Sequence, residues 1–538
     1  MKSAALIHFF MILSLSGLVP IFSLLFQFLL VGFHYWRSHY SKCEPCTPRT
    51  AIIIPAWNEA DSVSATIEQL MRLDYPSDAF RIYLIDDAST DNTFELCKEK
   101  QLAYPNKIIY AKREQGGLGK AHVLNFGLQL VLSDEWAEAV LMIDADVLFS
   151  PTSLTRMTRH LADPTVGAVT AYIREGHVPG NLVSHFIATE YVISQAGARR
   201  SQNVMGWLAC LAGGAQLHTR ENIIALGGKI NTTTLAEDTY TTFLTQLDGR
   251  LAIFEGNAIA RAEEPGNLRS LWKQRFRWAR GNVQITRAFR HIWFHPKKEA
   301  SLGSVLFGWI WFSTLFMPFF MILTSISLIV LLFLDVNLSW KIFQSFSALS
   351  IVCYLFFTFY TLFIDFEVTK RAWIATLMFP GFISLTIMIF SFAPHTFNYV
   401  LKMISTTHTF IYWRMNILLF FYAWISVCML FAWFVYRLDK AGLSQKITDF
   451  LLIIVGYGPF LCVITLSSFI AEMVQINLKW DKTERLKMKE TVFISEAKSS
   501  FEKLLTRDKW FEKRLFIYEV IIIFLIIFLL ILRNYSEF

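Results

Sequence analysis

The sequence predicts an α/β domain with a mostly parallel sheet, inserted between α-helical transmembrane segments. Three observations carry that expectation. Of the 538 residues, 54% are hydrophobic and 17% charged, with a mean hydropathy of +0.41, a balance that argues against an ordinary soluble or disordered chain. Apolar windows of spanning length run from Ala4 to Tyr35 and recur beyond Leu302, with a globular mixture of residues between them. Within that mixture, residues 50 to 266 alternate short β-branched runs with helical stretches, the pattern of strands wrapped by helices. The formal charge of +7 is too small, and its basic residues too close to the membrane edges, to argue for nucleic acid.

Lys2 precedes some thirty apolar residues that include Pro20 and lack an obvious cleavage site, so residues 1–43 read as an uncleaved anchor. The seven cysteines are odd in number and dispersed, which fits reduced thiols rather than a disulfide framework. Cys43 and Cys46 form one CxxC after the anchor, but no second CxxC or HxxxH completes a zinc site.

The strands expected next are Ala51 to Pro55, Arg81 to Ile85, Lys107 to Ala111, Val140 to Ile143 and Gly167 to Ala171, with helices such as Asp61 to Arg72 and Lys120 to Leu132 between them. Ligands of such sheets bind beyond the carboxyl ends of the strands. Three strands end there in polar tips: Pro55-Ala-Trp-Asn58-Glu59, Asp86-Asp87 and Asp144-Ala-Asp146. Any one such acidic tip is readily explained as a helix cap or turn. Asp144 and Asp146 point to one side wherever the backbone stays extended, so both carboxylates can meet one hard cation, Mg²⁺ or Mn²⁺. Gly116-Gly-Leu-Gly119-Lys120 opens a helix but fits neither the P-loop nor GxGxxG; Lys120 reads either as an exposed helix-start lysine or as a point charge for a diphosphate.

Glu237-Asp238 begins another helical stretch. It reads as an N-cap, or as a carboxylate pair in which one member takes a proton and the other tunes it. Gly213-Gly214 marks a turn or a place where an acceptor approaches the backbone closely. Gln274, Arg277 and Trp278 share one face of a basic, aromatic helix from Leu268 to Phe289, which serves equally as an interfacial helix or as an amide, a phosphate-binding guanidinium and a sugar platform.

Further apolar windows lie near Ser304 to Leu334, Phe346 to Ile364, Trp373 to Phe392, Leu418 to Tyr436, Phe450 to Ile470 and Leu515 to Leu532. The resulting division is 44–267 for the α/β domain, 268–300 for interface helices, 301–475 for a membrane bundle, 476–514 for a basic juxtamembrane segment and 515–538 for a last membrane helix. Arg37, Lys42 and Arg49 after the anchor, and Arg287, Arg290, Lys297 and Lys298 before the next span, put the α/β domain in the cytoplasm. If all seven windows cross, the segment from Lys479 to Arg514 ends outside against the charge rule. One window is therefore expected to be interfacial or re-entrant, with His395 to Arg414 a plausible neighbourhood.

The ordered set Pro55-Ala-Trp-Asn-Glu59, Asp86-Asp87, Gly119-Lys120, Asp144-x-Asp146, Glu237-Asp238 and Gln274-x-x-Arg277-Trp278 resembles the membrane-integrated, inverting family 2 glycosyltransferases. Their processive members include synthases of hyaluronan, chitin, cellulose and poly-N-acetylglucosamine. The resemblance implies a Rossmann-like GT-A domain in the plasma (inner) membrane protein, with Pro55, Asn58, Glu59, Asp86, Asp87, Lys120, Asp144, Gln274 and Arg277 on the nucleotide-sugar. It further implies Asp144 and Asp146 on the metal, Asp238 as general base beside Glu237, and Trp278, Gly213 and Gly214 near the acceptor. The helix from Asn181 to Gln195, with Glu190 and Tyr191, resembles the interface helix of those synthases. The implied reaction is processive transfer from a UDP-sugar, with UDP-N-acetylglucosamine the leading donor, to a growing β-linked polysaccharide that is exported. Membrane lipid and accessory secretion subunits are the further partners it implies. The rival readings are non-processive transfer to a lipid carrier and a transporter that only senses nucleotide-sugar.

Overall fold

A computed structural model describes residues 2–176, 180–296, 301–393, 410–476, 484–487 and 513–523, with residues 399, 403 and 525. Its centre is an eight-stranded sheet of order β3-β2-β1-β4-β7-β6-β8-β5. The strands are β1 (Thr50–Ala56), β2 (Phe80–Asp86), β3 (Ile108–Lys112), β4 (Ala139–Ile143), β5 (Val147–Phe149), β6 (Val166–Glu175), β7 (Ala215–Thr219) and β8 (Leu251–Ala262). The continuous apolar run of β1 has a direct cause. Ile52 and Ile54 join one core with Ile82 and Leu84, whereas Ala51 and Ile53 join another with Tyr83, Ile85 and Leu124, because successive side chains leave opposite faces of a strand.

The strands β3, β2, β1 and β4 pair in parallel, as the alternating pattern predicts. Beyond β4 the sheet is mixed: β7 runs antiparallel to β4 and β6, β6 parallel to β8, and β5 antiparallel to β8. The β6–β8 register slips between Ala171 and Tyr172. There Gly256 passes so close to the Arg200 guanidinium that a Cβ would collide with it. Such a bulge bends the sheet and re-aims its end.

Helix Leu182–Tyr191 starts at Asn181, whose side chain accepts from the Ser184 N–H, and continues as a π-helical turn, Val192–Gly197. Helix Leu268–Ala288 is capped in the same way by Asn267 through Ser270 N–H. Both helices border the site described below, and π-turns recur at such places.

Among the described residues, four helices are long and apolar enough to cross a membrane: Ala4–His34, Met317–Leu334, Val336–Ile364 and Trp413–Lys440. They become five if Gln445–Val455 and Tyr457–Met473 count as one span, although these meet at 92°. Three expected windows are therefore broken. The Phe450 to Ile470 window turns at Gly456, φ +105°, and the Trp373 to Phe392 window is interrupted before helix Phe382–Phe392 at Gly381, φ +91°. Gly381 and Gly456 face each other so closely that a Cβ on either would strike the other's backbone. The Ser304 to Leu334 window divides into Val305–Leu315 and Met317–Leu334, the second opening on Pro318. Most of the His395 to Arg414 stretch and of the Lys479 to Arg514 segment lies outside the described residues, as does part of the Leu515 to Leu532 window.

Candidate active site

The polar strand tips converge on a cavity of roughly 540 Å³. Of the residues singled out from the sequence, Pro55, Glu59, Asp87, Lys120, Asp144, Asp146, Gly213, Gly214, Glu237, Asp238, Gln274, Arg277 and Trp278 line it. Thr314, from the apolar helix Val305–Leu315, lines it as well, so the cavity reaches from the strand tips to the apolar helices that follow the α/β domain.

Asn58 and Asp86 are not part of that lining, and their side chains are engaged in the fold. Asp86 is fully buried and accepts from Ser89 N–H at 3.0 Å and from the Tyr110 hydroxyl at 3.3 Å. Asn58 Oδ1 accepts from Thr90 N–H at 2.8 Å, and Asn58 N–H donates to Ser89 Oγ at 2.9 Å. Together they lock the loop after β1 to the loop after β2. Asp87 reaches the cavity wall, pairs with Arg113 and accepts from Gly117 N–H at 3.0 Å, so it holds the glycine-rich loop.

The centre of the cavity is built from three distant segments. Lys120, at the start of helix Lys120–Asp134, lies 2.5 Å from Asp144 Oδ1 and donates to Gly213 O at 2.8 Å. Asp238 Oδ2 accepts from Gly213 N–H at 3.1 Å, and its Oδ1 from Thr239 N–H at 2.7 Å. The acids lie close to both glycines: a Cβ on Gly213 would lie 3.1 Å from Asp238 Oδ2, a tight contact, and one on Gly214 would lie 3.4 Å from Asp144 Oδ2, at ordinary contact distance.

The charges are uneven. Burial pushes the Asp144 carboxyl upward, but Lys120, Arg485 and Arg277 outweigh it and hold the group below the ordinary range. Burial and the adjacent Asp238 push Glu237 above its ordinary range, against Lys120 and Arg277. Asp146 is 3% exposed. Its Oδ2 has no partner in hydrogen-bond geometry and meets the guanidinium of Arg485 as an ion pair. A cationic group thus already stands against one carboxylate of the Asp144-x-Asp146 pair, and this all-oxygen donor set, with Asp146 buried and Asp144 partly exposed, fits a hard divalent ion.

The Gln274-x-x-Arg277-Trp278 face divides its work differently from the sequence expectation. Gln274 is buried; its Nε2 donates to Glu264 Oε2 at 3.1 Å and its Oε1 accepts from Arg275, so the amide is held by protein at both ends. Arg277 and Trp278 face the cavity. Arg275, which the face pattern passes over, is an anchor: it donates to Glu190 through Nε at 3.0 Å and Nη2 at 2.8 Å. Its guanidinium also lies 4.1 Å from the centre of the Trp278 ring. Tyr191 donates to Glu264 at 2.6 Å, and Tyr457, at the bend between the apolar helices Gln445–Val455 and Tyr457–Met473, donates to Glu190 at 2.6 Å. Burial raises Glu264 to about 7, against the pull of Arg275, Tyr191 and Gln274. The network joins the cavity to the bent helix pair. Its sequence signals, Glu263-Glu264 after β8 and Arg275 beside Gln274, gain meaning only in three dimensions.

Residues 48–281 match the family described as "Glycosyltransferase like family 2". The chain is 28% identical over 307 residues to the probable glycosyltransferase YdaM of Bacillus subtilis (strain 168), covering 56% of this chain and 70% of that protein. It is 27% identical over 237 residues to the beta-monoglucosyldiacylglycerol synthase of Synechocystis sp., covering 44% of this chain and 48% of that one. It is also 27% identical over 236 residues to the poly-beta-1,6-N-acetyl-D-glucosamine synthase of Staphylococcus aureus (strain MSSA476), covering 43% and 54%. The chain thus spans about half the length of the latter two relatives.

Proposed function

We propose, for a chain whose residues 48–281 form a family 2 glycosyltransferase domain, that it transfers a hexose from a UDP-sugar with inversion to the end of a growing β-linked polysaccharide and passes the product outward. UDP-N-acetylglucosamine is the donor we favour. The likeness to a poly-beta-1,6-N-acetyl-D-glucosamine synthase supports that choice. The observation that carries the reading is the meeting of Lys120, Asp144, Gly213 and Asp238 in one cavity that continues to an apolar helix through Thr314.

In this reading Asp238 takes the proton of the acceptor hydroxyl, whose oxygen then bonds to the anomeric carbon as the bond from that carbon to the UDP oxygen breaks. Attack opposite the leaving group turns an α-linked donor into a β-linked product. Gly213 N–H and Thr239 N–H orient the Asp238 carboxylate, and Lys120 and Arg277 meet the negative charge of the departing diphosphate. Asp144 and Asp146 would hold Mg²⁺ or Mn²⁺, which when bound neutralises diphosphate charge. Trp278, exposed by 36% and braced by Arg275, offers its ring to the acceptor sugar. The basic residues after the anchor favour a cytoplasmic catalytic domain in the plasma (inner) membrane. Membrane lipid and accessory secretion subunits complete the proposed partners.

The test is to incubate the full chain in lipid with single UDP-sugars and Mg²⁺ or Mn²⁺, then size the product. A ladder of long glycan supports the polymerase. Addition of one sugar to a lipid overturns processivity and favours the second reading, for which the match to a glucosyldiacylglycerol synthase speaks.

A further inference from the structure

Away from the cavity, ligand-bearing side chains gather where the segment following the first apolar helix meets the α/β domain. His39 and Cys43 flank the short turn Tyr40–Lys42, and His160 opens the turn that follows helix Ser153–Arg159. One ligand atom from each lies within 4.8 Å of the others. His39 Nδ1 is 2.8 Å from His160 Nδ1, and Cys43 Sγ is 3.4 Å from His39 Nδ1. Cys43 and His160 are buried. Cys46, the other half of the CxxC, is not a member of the group.

The outer nitrogens decide what the inner ones can do. His39 Nε2 lies 3.0 Å from Asp163 Oδ2, and His160 Nε2 lies 2.9 Å from Glu255 Oε2. Carboxylates accept, so each Nε2 carries its hydrogen and donates it. Both Nδ1 lone pairs then point at each other across 2.8 Å, an arrangement that needs a proton or a cation between them. A proton would serve the two nitrogens only. A metal ion would serve the nitrogens and the sulfur together. Imidazoles oriented by carboxylates through their far nitrogens are the usual support of such ligands.

We propose that His39, Cys43 and His160 bind a transition-metal ion of the zinc class, at a site separate from the acidic cavity, with Asp163 and Glu255 orienting the two rings. Tetrahedral zinc needs about 3.3 Å between nitrogens and about 3.6 Å between nitrogen and sulfur. Cys43 Sγ therefore already stands close to the required distance from His39 Nδ1, while the two Nδ1 atoms must part by about half an ångström. Imidazole and thiolate donors disfavour Mg²⁺ and Ca²⁺. On binding, the Cys43 thiol loses its proton to solvent and the metal–sulfur bond forms. The ion would tie the juxtamembrane segment, through His39 and Cys43, to the α/β domain, through His160.

The experiment uses the full chain in lipid nanodiscs, stripped of metal and kept in excess Mg²⁺ to occupy the acidic cavity, with Co²⁺ as the probe. A carboxylate site gives no thiolate-to-cobalt charge-transfer absorption, whereas this one does. The expected result is that band at one Co²⁺ per chain, displaced by Zn²⁺, lost in Cys43→Ser and kept in Cys46→Ser. Asp163→Asn should keep the band but weaken affinity by about 10- to 100-fold. Absence of the band in the unsubstituted protein overturns the site, independently of how any variant folds. So does a band that survives Cys43→Ser.

Discussion

Asp238→Asn separates the chemistry proposed here from binding. The carboxylate accepts N–H groups from Gly213 and Thr239 on its two oxygens. An amide keeps one acceptor, which goes to the shorter Thr239 contact at 2.7 Å, and turns its NH₂ toward the Gly213 N–H. That mismatch costs about 1–3 kcal/mol of stability, about 2–12 °C in the unfolding midpoint of a domain this size. Loss of a general base lowers the rate by about 10²- to 10⁴-fold, equivalent to about 2.7–5.4 kcal/mol of barrier. Lys120 and Asp144 touch neither oxygen of Asp238 and keep their mutual contact. The expected outcome is therefore a kcat lower by two to four decades with UDP binding unchanged. The assay is transfer of labelled sugar in nanodiscs beside UDP binding by calorimetry. Transfer within tenfold of the unsubstituted rate would refute the role of Asp238, and parallel loss of UDP binding would refute the division of labour between Asp238 and Lys120.

Three further outcomes follow from contacts around the cavity. Glu264 is raised from 4.5 to about 7, so its contribution to stability is fully present below pH 4.5 and fades as pH rises through about 7, by on the order of 3 kcal/mol. Glu264→Gln should flatten the fall of the unfolding midpoint across that window, and an unchanged slope would show that another group titrates there. Arg275→Ala leaves the Glu190 carboxylate without its guanidinium and should cost about 3–5 kcal/mol. Thermal unfolding in detergent measures this, and Arg275→Lys should recover only part because it cannot reproduce the two-pronged contact with Glu190. Arg485→Ala removes the cation that faces Asp146 and should lower the Mn²⁺ concentration for half-maximal transfer by about tenfold, a charge-assisted contact's worth. A higher requirement would mean that Arg485 assists the diphosphate rather than competing with the metal.

Read as a string of residues, the chain already commits to β1, β2 and β4, because their apolar runs must be buried on both faces and their acidic ends must therefore emerge at one edge of the sheet. The Leu268–Ala288 helix and its cavity-facing Arg277 and Trp278 were equally legible, since spacing along a helix determines which residues share a face. The short strands β5 and β7 and the interrupted β8 were not, because three to five residues, or a run broken by Glu255-Gly-Asn257, carry no period until a partner strand supplies it. The same holds for Asp86, whose place at a strand tip reads like that of Asp87 although its carboxylate is sealed inside by Ser89 and Tyr110. Hydropathy sums residues and cannot see a turn, so the breaks at Gly381 and Gly456 appear only where two backbones touch. Folding alone brings His160 to His39 and Cys43, and Arg485 to Asp146, across more than a hundred residues of chain. Local sequence can specify which groups lie at an edge or on a face. Which distant groups meet there depends on long-range packing that no nearby residue encodes.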